Sequence, residues 1–301
     1  MARACSSEWL RSARPVAEAR VGLLDEMATS SAARVAAARA LEPDHALRAR
    51  ALASPAPLPL QLSAHGFDLI AELKLRSPAL GELAAQTHDA QERLREYARG
   101  GAAAVSVLTE PVRFDGRLEH LAEAAALLRP LGVPAMRKDF LVDPYQIYEA
   151  RANGASGVLL IVRMLPLASL ATMLDVAASL GLFVLLEAFD AGDLDLAATL
   201  ADQRGGRGEQ VLMGLNCRDL QTLQIDFARF AGLRAQLPAA WPPVAESGVQ
   251  SPADAASVAA LGYRLALVGT SLMRRVDPRA AVAELLAAGR ATVRSTRGAP
   301  A

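Results

Sequence analysis

Lysine and glutamate recur at the ends of short apolar runs along this chain, and that placement is the first sign of chemistry. The run DLIAEL (68–73) carries Glu72 and is followed by Lys74, Arg76 and Ser77. VPAMRK (133–138) ends on Arg137 and Lys138, with Asp139 next, and LFVLLE (182–187) ends on Glu187. VLMGLN (211–216) ends on Asn216, with Arg218 just beyond, and PVAES (243–247) ends on Glu246 and Ser247, followed by Gly248. LALVG (265–269) leads into Thr270 and Ser271. A lone residue of this kind would read as a structural ion pair. A set converging on one mouth must be paired or used, because burying unpaired charge costs several kcal/mol. Lys and Glu titrate on opposite sides of neutrality, so proximity and partial burial can tune them as an acid and a base. No histidine ends a run. His45 and His65 precede the first run, His88 and His120 fall in loop or helix segments, and surface positions are expected for all four. No Asp, His or Cys cluster has metal-ligand spacing, so neither a metal nor another cofactor is expected. The small residues of ESG (246–248) and VGTSLM (268–273) suit a phosphate cradle of backbone N–H groups beside a short helix start, with turn-making glycines as the plainer alternative.

Such a set requires elements that bring run ends together. With AAVSVL (103–108) and GVLLIV (157–162) there are eight runs from residue 68 onward. Each is continuously apolar, as a parallel strand buried on both faces must be. Helical stretches separate them. DAQERLREYARGG (89–101) stops at Gly100 and Gly101; DPYQIYEARANG (143–154) has Asp143 as N-cap and Pro144 at the first helical position; SPADAASVAALG (251–262) repeats that design with Ser251 and Pro252. Strand–helix alternation repeated eight times predicts an α/β fold, a closed (β/α)8 TIM barrel, with the site at the C-terminal ends of the strands. The Gly-rich dinucleotide loop of an open doubly wound sheet is absent after the first strand. Residues 1–67 fall outside the repeat and are expected to form an N-terminal helical extension and a Pro-broken linker, SPAPLPL (54–60). The expected barrel domain is 68–290, with a disordered tail at 291–301.

Composition narrows the partners. Lys plus Arg equals Asp plus Glu, at 32 each. That balance argues against nucleic acid or a membrane surface as partner and leaves room for a small anionic substrate held by a local positive site. Cys5 and Cys217 are far apart and read as reduced thiols of a cytoplasmic protein. The N-terminus has no apolar signal core. The apolar stretch 157–189 is interrupted by Arg163, Pro166 and Asp175, so two strands flanking a helix explain it better than a membrane span. A monomer or weak homo-oligomer is expected.

Several segments resemble the indole-3-glycerol-phosphate synthase family. IAELKLRSP (70–78), SVLTEPVRFDGRLEHL (106–121), RKDFLVDPYQIYEARANGA (137–155), GLNCRDLQTLQID (214–226), AESGVQSPADA (245–255) and LVGTSLMRRVDP (267–278) match its motifs in order. LLDEMATSSAARVAAARA (23–40) resembles the family's extra N-terminal helix. The resemblance spans about residues 22–285. It implies a carboxy-lyase of tryptophan biosynthesis that acts on 1-(2-carboxyphenylamino)-1-deoxyribulose 5-phosphate by ring closure, decarboxylation and dehydration. It implies Lys138 as general acid and Glu187 as general base. Lys74 would meet the substrate carboxylate, Glu72 and Glu246 would pair with the lysines, and Asn216 would position Glu187 or a substrate hydroxyl. Phe114, Phe140 and Leu220 match the slot for the anthranilate ring, with Arg218 near the ribulose chain and Ser247 also at the substrate. Ser77, Gly248, Gly269 and Thr270 match the phosphate region. The chain departs from the family where SPSKG is SPALG, where NNR or NSR is NCR, and where the VH after Glu187 is AF. Two other readings remain: another sugar-phosphate barrel enzyme such as a phosphoribosyl isomerase, and a barrel that binds without catalysing.

Overall fold

The eight apolar runs form the staves of one cylinder. A computed structural model describes residues 22–77, 81–82, 87–204, 210–220 and 222–298. The barrel strands are β1 Asp68–Leu73, β2 Ala104–Leu108, β3 Ala135–Lys138, β4 Gly157–Ile161, β5 Phe183–Ala188, β6 Val211–Asn216, β7 Pro243–Glu246 and β8 Leu265–Val268. Each pairs in parallel with its neighbours in sequence, and β8 closes on β1. The seam register aligns Ile70 with Leu267 and Ala71 with Val268. The architecture is the expected closed (β/α)8 barrel with an N-terminal helical segment.

The strands are apolar throughout because both faces are covered. One set of side chains, including Ile70, Met136, Leu159, Phe183, Leu212 and Leu265, fills the interior. The alternate set packs outward against the helices. Burying one such aliphatic side chain contributes roughly 1.5–3 kcal/mol. Gly157 marks a tight place in this plug, since a Cβ there would lie 2.4 Å from the Phe183 ring. Helices Thr87–Arg99, Leu118–Leu128, Pro144–Ala152, Leu167–Ser179, Ala191–Arg204 and Pro252–Ala260 lie outside. Their starts obey the capping chemistry in the sequence: Asp143 accepts from the Tyr145 N–H and Ser251 from the Asp254 N–H, each with proline in the first turn. The stretch 157–189 is strand, helix and strand, and no helix among the described residues is long and apolar enough to cross a membrane.

Before the barrel come α1 (Leu23–Leu41) and α2 (Asp44–Ala53). They pack on helix Pro144–Ala152 through Val35, Leu47 and Tyr145, and the Tyr145 hydroxyl donates to the Glu42 carbonyl at 2.9 Å. The linker after α2 sends Leu60 into the apolar plug. At the opposite end from the site, Asp68 is buried between Arg264 (2.9 Å) and Arg290 (3.0 Å), which ties the start of β1 to β8 and to the last helix. That last helix, Pro278–Gly298, runs past the boundary expected at residue 290, so 291–298 is helix and not a disordered tail. The reason is its apolar stripe: Ala281, Val282, Leu285 and Leu286 are buried, and the stripe continues into Val293. The first part of the extension, with Cys5, and residues 299–301 lie outside the described residues. His45 and His65 are exposed, but His120 is buried beside Arg117, against the expectation of a surface position. The His88 side chain lies outside the described residues.

Candidate active site

The barrel opens at the C-terminal ends of its strands into a cavity of about 380 Å³, and each of the eight strands, or the loop after it, contributes to the lining. Glu72, Lys74, Lys138, Glu187, Asn216 and Arg218 line it. Phe114, Phe140 and Leu220 supply apolar wall, and Ser247, Gly248, Gly269 and Thr270 supply one rim. Glu246 lies at the end of β7 with no exposed surface, under the cavity rather than on its wall. Ser77 follows β1 in a short two-stranded ribbon, Arg76–Ser77 against Gly81–Glu82, and its side chain lies outside the described residues.

Alternation along the strands places the charges. Ile70, Met136, Leu185, Leu212 and Val244 point inward lower in the barrel, so Glu72, Lys138, Glu187, Gly214 and Glu246 face inward two residues further on, and Asn216 two residues beyond Gly214. Glu72 is the hub. Its carboxylate meets Lys74 Nζ at 3.0 Å and Lys138 Nζ at 3.4 Å. Burial would raise the Glu72 carboxyl, but the two ammonium groups outweigh it and hold it down to about 2. Burial would lower Lys138, but Glu72, Glu187 and Glu246 outweigh it and hold its ammonium above the usual lysine range. Lys138 is therefore protonated at neutral pH.

Glu246 pairs with Lys138 as the sequence suggested, but through a longer contact than Glu72 makes. Lys138 Nζ is 3.7 Å away, and neither carboxyl oxygen has a hydrogen-bond partner among the described residues. Burial, reinforced by the Glu187 charge, outweighs the pull of Lys138 and holds Glu246 well above the usual carboxylate range. Across the barrel, the Asn216 side-chain amide donates to Glu187 Oε1, and the Asn216 side-chain oxygen accepts from the Arg218 N–H at 2.9 Å. Asn216 is thus fixed from its own loop while it holds Glu187.

That loop is a small hairpin. Arg218 pairs with Ile225, its guanidinium donates to the Leu223 carbonyl at 2.8 Å, and Leu223 takes a positive φ of 61°. Leu220 is carried at its tip. On the opposite side Phe114 and Phe140 face each other with ring centroids 6.4 Å apart and a 33° tilt. An apolar ring entering between Leu220 and this pair would rest on Leu159, Ile161 and Phe189. At the other rim the backbone turns sharply: Ser247 and Gly248 have φ of 65° and 78°. A Cβ at Gly248 would lie 2.9 Å from Cys217 Sγ. Small residues there leave backbone accessible next to Gly269 and Thr270, as an anion cradle requires.

Several contributors escaped sequence reasoning. Leu108, Leu159, Ile161, Phe189 and Leu267 line the cavity but look like ordinary strand residues. Asp139 reads as a helix-start residue, yet it is a buried junction. It accepts from Arg34 of α1 at 2.9 and 2.7 Å, from Thr109 at 2.7 Å and from Arg137 at 3.1 Å. Arg34 could not be singled out among the arginines of an Ala/Arg-rich helix. Arg274 also lines the cavity.

A closed parallel barrel with lysines, carboxylates and a small-residue rim at its C-terminal mouth is a (β/α)8-barrel enzyme fitted for an anionic substrate. Among solved structures, 3-hexulose-6-phosphate synthase from Salmonella typhimurium superposes with a TM-score of 0.57 at 12% identity, covering 75% of this chain and 99% of that one. Thiamine phosphate pyrophosphorylase from Pyrococcus furiosus gives 0.53 at 18% identity, covering 77% and 100%. At such identities the likeness concerns the fold alone. Sequence comparison goes further. The profile of the family described as indole-3-glycerol phosphate synthase matches residues 24–285. Proteins of that name from Mycobacterium leprae (strain Br4923) and Mycobacterium tuberculosis (strain CDC 1551 / Oshkosh) are 41% and 40% identical over 269 residues, 89% of this chain and 94% of each relative. The chain belongs to the indole-3-glycerol phosphate synthase family.

Proposed function

We infer that this protein closes the indole ring. It converts 1-(2-carboxyphenylamino)-1-deoxyribulose 5-phosphate to indole-3-glycerol phosphate with loss of CO2 and water, a carboxy-lyase step of tryptophan biosynthesis. The observation that carries this reading is the cavity itself: an apolar slot with a protonated lysine and a held glutamate on one side and a small-residue rim on the other, in a chain of this family.

In this reading the phosphate rests on the rim made by Ser247, Gly248, Gly269 and Thr270, with Ser77 on the adjoining loop. The aromatic ring lies between Phe114, Phe140 and Leu220. Arg218 lies beside the ribulose chain. Ring closure turns a ketone into an alcohol and needs a proton on its oxygen. Lys138, held protonated chiefly by Glu72, supplies it. The departing CO2 leaves its bonding electrons behind to restore the benzene ring; when hydroxide is then expelled, Glu187 accepts the proton lost as the new five-membered ring becomes aromatic, and Asn216 keeps its carboxylate aimed. Lys74 lies at 3.0 Å from Glu72 and faces the cavity, where it neutralises the substrate carboxylate before CO2 leaves and can donate in the dehydration. Glu72 holds both lysines, and Glu246 forms the buried floor beneath Lys138. Incubating the protein with the carboxyphenylamino-deoxyribulose phosphate should produce indole fluorescence, and no product would refute the reading. Loss of fluorescence in a Glu187→Gln variant that still binds substrate would place the base at Glu187.

A further inference from the structure

Gly214 lies inside β6, and its backbone does not require glycine, because its φ is not positive. Glycine within a strand is destabilising by roughly 0.5–1 kcal/mol relative to alanine, so its presence calls for another reason. That reason is space. An ideal Cβ at position 214 would lie 1.9 Å from Glu246 Oε1 and 3.0 Å from Glu246 Cδ and from Leu185 Cδ1. The Glu246 carboxyl occupies the volume that a side chain at 214 would fill, across the seam where Gly214 pairs with Val244 and Asn216 with Glu246. Gly269 serves Glu72 in the same way, since a Cβ there would lie 2.2 Å from Glu72 Oε1. Glu72 and Glu246 are the two carboxylates that reach Lys138, at 3.4 and 3.7 Å.

We propose that Gly214 is a positioning residue, whose missing side chain forms the socket that fixes the Glu246 carboxyl below Lys138 and beside Glu187. The proposal rests on the assignment of Lys138 and Glu187 above. Among the described residues neither oxygen of Glu246 has a hydrogen-bond partner, and Lys138 reaches it only through the 3.7 Å ion pair, so its orientation depends on the walls around it. The bare Gly214 backbone is one of those walls. The charged groups acting on the carboxyl are Lys138 from β3, Glu72 from β1 and Glu187 from β5. A methyl group at 214 cannot coexist with the carboxyl in its place. The side chain must swing away, altering its distance to Lys138 and Glu187 together and with it the proton affinity of the cluster.

The test compares Gly214→Ala, Glu246→Asp and the double variant by kcat, KM and the pH profile of ring closure. The glutamate carboxyls are followed in parallel by 13C NMR titration, with Glu246 assigned by its loss in Glu246→Asp. Gly214→Ala should lower kcat on the order of tenfold to a hundredfold with little change in KM, the usual effect of a small misplacement of reacting groups. It should also shift a limb of the pH profile and the Glu246 titration. Asp at 246 is shorter by one methylene and vacates the clash, so the double variant should be more active than Gly214→Ala. Wild-type kcat and pH profile in Gly214→Ala, or a double variant as impaired as the product of the two singles, overturns the proposal. If Gly214→Ala does not fold, the double variant decides: folding restored by Glu246→Asp supports the socket, and failure of both to fold overturns it. If the wild type closes no ring, the assigned reaction fails, while the Glu246 titration still judges the socket, supported by a shifted midpoint and overturned by an unchanged one.

Discussion

Removing Arg34 tests whether the N-terminal helix is part of the active-site scaffold. Arg34 makes a two-pronged ion pair with Asp139, whose side chain has no exposed surface, and Asp139 directly follows Lys138. Burial alone would raise the Asp139 carboxyl. The hydrogen bonds and charge of Arg34, the charge of Arg137 and the Thr109 hydroxyl instead bring it down to about 2 from 3.8. A depression of that size corresponds to about 2 kcal/mol favouring the ionised, folded state, at about 1.4 kcal/mol per pH unit. Arg34 is the largest favourable contributor and Arg137 remains behind, so Arg34→Met should cost about 1–2 kcal/mol at pH 7, below the roughly 3–5 kcal/mol of a fully orphaned buried charge. The sign of the pH dependence follows from the direction of the shift. A carboxyl whose folded value lies below its unfolded value stabilises the fold above about pH 4, and that stabilisation is lost as the pH falls towards 2. Urea denaturation of wild type and variant at pH 7 and pH 3 should therefore show a gap that narrows on acidification. Turnover should fall in parallel, because Asp139 also accepts from the Phe140 N–H and so fixes the backbone just after the lysine's exit from β3. Equal midpoints at pH 7, or a gap of the same size at both pH values, would refute the reasoning.

Three further outcomes are expected. Lys138→Met should bind substrate but lose on the order of 10²–10⁴ in single-turnover ring closure, the usual cost of deleting a general acid; near-normal closure would remove Lys138 from that role. Gly248→Val should weaken inhibition by inorganic phosphate, because a side chain at φ 78° and 2.9 Å from Cys217 Sγ must displace the rim; an unchanged inhibition constant would mean the cradle is elsewhere. Glu72→Gln should lower the pKa of Lys138, since Glu72 contributes most to raising it. An alkaline limb of the pH–rate profile would then move to lower pH, and an unmoved limb would show that Glu72 does not set the lysine.

The strands were legible because a parallel barrel imposes a simple rule on sequence. Burial on both faces makes each strand continuously apolar, so DLIAEL and VLMGLN could be bounded by inspection, and they coincide with β1 and β6. The charged members of the site were legible for the converse reason. A lysine or glutamate ending such a run is conspicuous, because charge is costly there unless it is used or paired. Apolar lining residues such as Ile161 and Leu159 carry no such mark, since the same side chains that form the slot also fill the plug below it. The long-range partner of Asp139 was hidden differently. Arg34 shares α1 with Arg39, and only the packing of α1 over the barrel selects it. The tail's helix is not legible in sequence because its polar C-terminal letters conceal an apolar stripe at helical spacing.

Glycine shows where sequence reasoning stops short even at a position it can see. Gly248 and Gly269 could be noticed as turn residues beside a strand end. Gly214 sits inside an apolar strand where composition suggests only a weak stave. Its meaning depends on the neighbouring strand, because it is the Glu246 carboxyl, two residues above Val244 in the register, that fills the space. The same holds for the site's electrostatics. Glu72 and Glu246 have the same chemistry and similar places at strand ends, yet one is held near 2 and the other well above the usual range. The difference is which ammonium groups reach them. Glu72 has Lys74 at 3.0 Å and Lys138 at 3.4 Å, while among the described residues Glu246 has only Lys138, at 3.7 Å, and lies near Glu187. A barrel that packs Glu72 and Glu246 around Lys138 does not leave the two equally ionised, and the space left by two glycines sets the separations from which that inequality follows.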